Sequence, residues 1–202
     1  MMHIIGITGQ SGCGKGFLST ALKSLGFVHA DADRIYHDLL NTSVPLRNEL
    51  VRTFGSDIEN NGIIDRKVLG KKVLGKSNAR KLERLNKIAH KYVCREYIKL
   101  IISLKEEKAK GLIIDAPLLI EARLDKLCDL NILVACSKDT QINRIVARDG
   151  ITKDAAELRL SSQKPLTFYA KHCDLVFISE NQGWEQEALE TIKNHLYGDF
   201  KN

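Results

Sequence analysis

No apolar run in the sequence approaches the roughly 18 residues that a membrane-spanning helix requires, so a membrane protein is not expected. The five cysteines, Cys13, Cys94, Cys128, Cys136 and Cys173, are odd in number and contain no Cys-x-x-Cys pair. That pattern argues against both a zinc site and a disulfide framework. The opening Met1-Met2-His3-Ile4-Ile5 lacks a basic flank and a cleavage site, and its apolar stretch breaks at Gly6. A secretory leader is therefore not expected, and a cytoplasmic protein is. Internal repeats, linkers and low-complexity segments are also missing, and 202 residues suit one substantial core, so a single domain over 1–202 is expected.

One further absence is chemical. The stretch Ile4-Ile5-Gly6-Ile7-Thr8-Gly9-Gln10-Ser11-Gly12-Cys13-Gly14-Lys15 reads as a buried strand, a glycine-rich turn and the start of a helix. The spacing Gly9-x-x-x-x-Gly14-Lys15 is that of a phosphate-binding loop, in which backbone N–H groups crowd an anion at a helix N-terminus. Such a loop ordinarily continues with Ser or Thr, whose hydroxyl holds Mg²⁺, and here the next residues are Gly16 and Phe17. Ser11, Gly12, Cys13, Gly14 and Lys15 are expected to supply backbone donors, and the Lys15 ammonium to reach the β- and γ-phosphates.

What is present fits an anionic ligand. The formal net charge is +6, which suits nucleic acid or nucleotide phosphates alike. Much of the excess falls on Arg66, Lys67, Lys71, Lys72, Lys76, Arg80, Lys81 and Arg84, interleaved with apolar residues at helical spacing, the pattern of a solvated helix face.

Strand and helix signals alternate. A helix from Lys15 stops at Gly26, a strand covers Phe27 to Ala30, and a helical pattern follows Asp31-Ala32-Asp33. From about 42 to 110 the texture is helical throughout, with Pro45 in a first turn, Asp65 as an N-cap and a long helix from about Ser77 to Lys108. Strands resume at Gly111–Asp115, Leu130–Ala135 and Leu175–Ile178, separated by helices near 139–148 and 153–163, and a last helix covers 184–196. This alternation predicts an α/β fold with a parallel sheet flanked by helices.

Ligands of such sheets gather at the carboxyl ends of the strands. Asp33 is a candidate to take the proton of an attacking hydroxyl, or else a capping residue like Asp31. Asp115, closing an apolar strand, is a candidate magnesium-binding acid, directly or through water. Arg144 and Arg148, at i and i+4, either clamp triphosphate oxygens or pair with acids such as Asp149. His90 is either a satisfied helix residue or functional.

Together these residues resemble the dephospho-coenzyme A kinases. The resemblance rests on Ile7 through Lys15, Ala30-Asp31-Ala32-Asp33, Leu85-Asn86-Lys87-Ile88-Ala89-His90, Asp115-Ala116-Pro117-Leu118-Leu119-Ile120-Glu121, Arg144 through Gly150, Arg159 through Gln163 and Asn181-Gln182-Gly183. It implies a nucleoside-monophosphate-kinase-like P-loop fold, with a core over about 1–40, 111–138 and 165–202, a helical acceptor-binding insertion over 41–110 and a small helical lid over 139–164. It implies transfer of phosphate from ATP, with Mg²⁺, to the ribose 3′-hydroxyl of dephospho-CoA. It places Asp33 at the acceptor hydroxyl, Arg144 and Arg148 at the ATP phosphates, and Asn181 and Gly183 beside adenine. Asp31, His90, Leu118, Leu119 and Glu121 would lie near the acceptor. Partners are then small molecules, with neither nucleic acid nor membrane, and the protein a monomer or weak oligomer. Two other readings stand beside it: a non-catalytic nucleotide- or CoA-binding relative, motivated by Gly16, and a P-loop kinase for another nucleotide-like acceptor.

Overall fold

The structure is a computed structural model that describes residues 2–198. Met1 and residues 199–202, the ends of the expected domain, lie outside the described residues, as does the side chain of Lys76. The chain forms two compact units, one from Met1–Ala30 and Leu104–Asn202, the other from Asp31–Ser103.

The first unit is built on a five-stranded sheet. Its strands are β1 (His3–Thr8), β2 (Val28–Asp31), β5 (Gly111–Asp115), β6 (Leu130–Ala135) and β7 (Leu175–Ile178), in the order β2-β5-β1-β6-β7. β1 pairs in parallel with β5 and β6, and β6 with β7. Continuous apolar sequence makes β1, β5 and β6 central: β5 is buried at every position, and β1 and β6 at all but one position each. Helix α1 (Lys15–Ser24) and helix α9 (Trp184–Tyr197) contribute Leu18, Leu22, Trp184, Ala188 and Ile192 to a core shared with Ile5, Ile7, Ile113, Ile132 and Val134. Helices α6 (Lys138–Asp149) and α7 (Lys153–Ser161) join through Ile142, Ile145, Ala156 and Leu160. A five-residue helix, α8 (Leu166–Ala170), precedes β7 and escaped the sequence reading because one and a half turns carry little periodicity.

Strand order decides where a ligand can sit. The chain leaves β1 for one side of the sheet through β2 and returns on the other through β6, so the loop after β1 lies at the switch point between β5 and β6. The register sets Ile7 opposite Asp115, and Ala116 N–H donates to Ile7 O at 3.1 Å. Asp115 therefore ends its strand beside the start of the glycine-rich loop.

The second unit holds α2 (Ala32–Thr42), α3 (Val44–Phe54), α4 (Arg66–Val73) and α5, whose 28 residues run Ala79–Glu106 and on into the first unit. Asp31 caps α2, Ser43 caps α3 and Asp65 caps α4, each accepting a first-turn backbone N–H. The expectation of a wholly helical segment needs correction. β3 (Glu59–Asn60) and β4 (Ile63–Ile64) form a two-stranded antiparallel ribbon. Its loop is Asn61-Gly62, with φ of 51° and 78°. Positive φ at both central residues is what a two-residue hairpin demands, and Asn-Gly supplies it. The dipeptide is a hairpin signal rather than mere punctuation between helices.

Candidate active site

The loop between β1 and α1 is shaped by contacts that leave no room for side chains. At Gly9, with φ of 146°, an added Cβ would lie 2.2 Å from Val134 O on the neighbouring strand. A glycine is required there by backbone crowding as well as by conformation. Cys13 is fully buried behind the loop, and that burial pushes its thiol pKa up, which keeps the thiol uncharged beside an anion site. Lys15 opens α1, and its Nζ donates to Gly9 O at 2.8 Å and Gln10 O at 3.4 Å. The ammonium thus curls back over the loop. The amides of the first turn of α1 have no intrahelical acceptors, so the helix start presents donors and a positive dipole end to an anion. Gly16 is exposed with no atom within 4 Å of where its Cβ would be, and Phe17 is 60% exposed.

Arg144 is brought to the same loop. Its guanidinium donates to Gly12 O at 3.3 Å, to Ser179 Oγ at 2.9 Å and to Ser179 O at 2.6 Å. Ser179 Oγ in turn donates to Cys13 O. Arg148, one helical turn on, goes elsewhere: it makes a two-pronged ion pair with Asp149 at 2.7 and 3.0 Å, and Arg159 of α7 reaches the same carboxylate. Those two cations hold the Asp149 carboxyl well below the usual carboxylate range. Of the two arginines, the structure brings only Arg144 to the phosphate loop.

Three glutamines close the loop's edge, and the sequence reading singled out none of them for it. Ser11 N–H donates to Gln163 Oε1 at 3.0 Å, Gln10 Nε2 donates to Lys164 O at 3.0 Å, and Gln141 Nε2 donates to Gln10 Oε1 at 3.1 Å. The loop is thereby fastened to α6 and to the segment following α7. Neutral amides have no sequence signature that foretells such pairing.

Asp115 is nearly buried, and Ser19 Oγ donates to its Oδ2 at 2.9 Å while His29 Nε2 lies 3.3 Å from the same oxygen. A single strand-end carboxylate beside a phosphate loop fits Mg²⁺, which takes oxygen ligands and retains several waters, so that phosphate oxygens and one carboxylate suffice. Among the described residues there is no cluster of three or more His, Cys, Asp or Glu able to hold a metal by itself. The donor set thus suits an ion that arrives with a nucleotide.

The remaining candidates fall in three places. Asn181 and Gly183 form the turn between β7 and α9, where Gly183 has φ of 84° and Trp184 N–H reaches Asn181 O at 3.5 Å. Leu118 is partly exposed, Leu119 is fully buried, and Glu121 Oε2 is buried without a partner among the described residues. Burial raises the Glu121 carboxyl pKa, and the Tyr169 hydroxyl, donating to Oε1 at 3.5 Å, only partly offsets this. In the second unit, Asp31 Oδ1 accepts from Arg34 N–H at 3.0 Å, Asp33 stands in the first turn of α2, and His90 lies half-buried on α5 with its pKa lowered by desolvation.

Residues 3–185 match the family model described as dephospho-CoA kinase. The chain belongs to that family. A dephospho-CoA kinase of Carboxydothermus hydrogenoformans is 37% identical over 193 residues, covering 95% of this chain and 92% of the relative. One from Fusobacterium nucleatum is 39% identical over 184 residues, covering 90% and 91%. A crystal structure from Thermus thermophilus superposes with a TM-score of 0.78 at 26% identity over 96% of this chain and 98% of that one. A shikimate kinase from Acinetobacter baumannii, at 12% identity and a TM-score of 0.58, shares the fold alone, over 100% of this chain and 97% of its own. A dephospho-CoA kinase fold with Gly16 after the loop lysine is thus the setting in which the site has to work. No helix among the described residues is long and apolar enough to cross a membrane.

Proposed function

We propose that the protein transfers the γ-phosphate of ATP to the ribose 3′-hydroxyl of dephospho-CoA, giving CoA and ADP. The observation that carries this reading is the convergence of Lys15, Arg144 and Asp115 on the loop after β1, within a chain of the dephospho-CoA kinase family. The fold's relatives and the loop's shape support ATP as donor.

Each residue has a task that follows from its position. The loop amides bind phosphate oxygens, and Lys15 exchanges its bonds to Gly9 O and Gln10 O for bonds to the β- and γ-phosphates. Arg144, held by three acceptors in a fixed plane, offsets charge that grows on the transferring group. Asp115 would hold Mg²⁺, directly or through water, and the ion when bound would neutralise phosphate charge. Asp33 orients the acceptor hydroxyl and takes its proton, while Asp31 is spent on capping α2. Asn181 and Gly183 support adenine at the turn after β7. Leu118, Leu119 and Glu121 of the first unit, and His90 of the second, are acceptor-binding residues, the region over 41–110 acting as acceptor-binding insertion and 139–164 as lid. Arg148 supports the lid from within, by tying α6 to α7 through Asp149. Nucleotide and acceptor are the partners, and one chain carries every residue named.

The test is ADP release in a coupled assay with dephospho-CoA and Mg²⁺-ATP, with adenosine as a control acceptor lacking the pantetheine arm. Turnover with dephospho-CoA is expected. Absence of turnover above background at high enzyme concentration, with ADP still bound, would favour the non-catalytic relative instead.

A further inference from the structure

Gly16 removes the hydroxyl that a phosphate loop ordinarily directs at the metal, yet the carboxylate beside the loop is more heavily supported than that role alone requires. Asp115 Oδ2 accepts two side-chain hydrogen bonds from two different elements. Ser19 lies one turn beyond Gly16 on α1, and its hydroxyl, in a residue only 2% exposed, reaches Oδ2 at 2.9 Å. A helical serine commonly turns its hydroxyl onto the carbonyl four residues earlier; Ser19 directs it across to β5 instead. His29, on the neighbouring strand β2, places Nε2 at 3.3 Å from the same oxygen. An ionised carboxylate can only accept, so Nε2 carries the hydrogen. Two donors from a helix and a strand on one oxygen fix the carboxylate's rotation about its last bond.

We infer that Ser19 and His29 are positioning residues that orient the Asp115 carboxylate towards the nucleotide's Mg²⁺, making up for the hydroxyl lost at Gly16. The inference rests on the kinase reading above. Outer-shell donors of this kind hold a ligand's rotamer and raise metal affinity without touching the ion. The open space around Gly16 leaves room for a water where the hydroxyl would have stood, so the ordering has to come from the carboxylate's side. The alternative is that both donors simply satisfy a buried carboxylate, in which case their loss lowers stability and leaves the metal's contribution to nucleotide binding intact.

Calorimetric titration of ADP, once with Mg²⁺ and once with EDTA, separates the two through the ratio of the constants, the metal-dependent gain. For Ser19→Ala and for His29→Leu the gain is expected to fall by about ten-fold, the range for removal of an outer-shell partner, with the EDTA constant little changed. His29→Gln, which keeps an N–H donor, should retain most of the gain. Gly16→Ser combined with Ser19→Ala should restore it, since nothing obstructs a Cβ at Gly16. An unchanged gain in both single variants, or an EDTA constant that falls as far as the Mg²⁺ constant, would overturn the inference. The unmodified protein offers a check that no folding defect can confound. Mn²⁺-ADP should broaden the His29 ring signals more strongly than those of His3, His172 and His195, the other histidines of the same unit, and equal broadening at His3 would overturn it. Failure to bind ADP under either condition would overturn the kinase reading as well, whereas binding with an unaltered gain overturns this inference alone.

Discussion

Two carboxylates of the chain carry predictions that differ in kind. Asp33 is proposed to take a proton from the acceptor, and general-base assistance contributes about 10²- to 10⁴-fold to rate. Asp33→Asn should therefore lower kcat by about 10²-fold or more while leaving the KM for ATP near its original value, read in the coupled assay. A matching rise in the ATP KM would point to a role in donor binding instead. Glu121 has a buried Oε2 without a hydrogen-bond partner among the described residues, and a pKa raised by burial. Its folded pKa lies above its unfolded one, so the folded protein prefers the protonated form. The stability associated with that form is complete below the unfolded pKa and lost as pH rises through the folded pKa. Glu121→Gln mimics the protonated state. The variant should melt above the parent at pH 8, and the difference should shrink towards pH 4 in a melting series. A difference that grows on acidification would show the opposite shift.

At the level of elements, the ribbon and the arginine pair show how local and non-local information divide. The ribbon of β3 and β4 hangs on Asn61-Gly62, whose positive φ values were readable from the dipeptide itself. At Gly62 an added Cβ would meet only the Arg47 guanidinium, at 3.7 Å. The cost of Gly62→Ala is then conformational rather than steric, about 1 kcal/mol from forcing a Cβ into left-handed backbone, and urea unfolding should show it. No loss would mean that the ribbon contributes nothing to its unit. Arg144 and Arg148 share a helix, a charge and a face by spacing, yet one is bonded to Gly12 O and Ser179 and the other to Asp149. Helical periodicity could not separate them, because the difference lies in what the other elements bring near each guanidinium. Asp31 differs from that pair, because its capping bond to Arg34 N–H lies within one turn of its own helix and is legible locally.

For the whole molecule, a ligand that binds only the folded state raises its stability by mass action. ADP with Mg²⁺ at 100 times its dissociation constant should add about 2.7 kcal/mol, seen as a rise in melting temperature that EDTA diminishes. A melting temperature indifferent to ADP would contradict the phosphate-loop assignment. The sequence by itself determined the phosphate loop, the positions of β1, β5, β6 and β7, the caps at Asp31 and Asp65 and the family, because glycine spacing, apolar runs and capping residues act within a few residues of one another. Tertiary structure alone decided that Arg144 is bonded to the loop and Arg148 to Asp149, that Gln10, Gln141 and Gln163 fasten the loop, and that Ser19 and His29 meet on Asp115. Those contacts join residues up to 154 positions apart through the strand order β2-β5-β1-β6-β7. Strand order follows from how all the apolar faces pack at once, and no local pattern of residues encodes it.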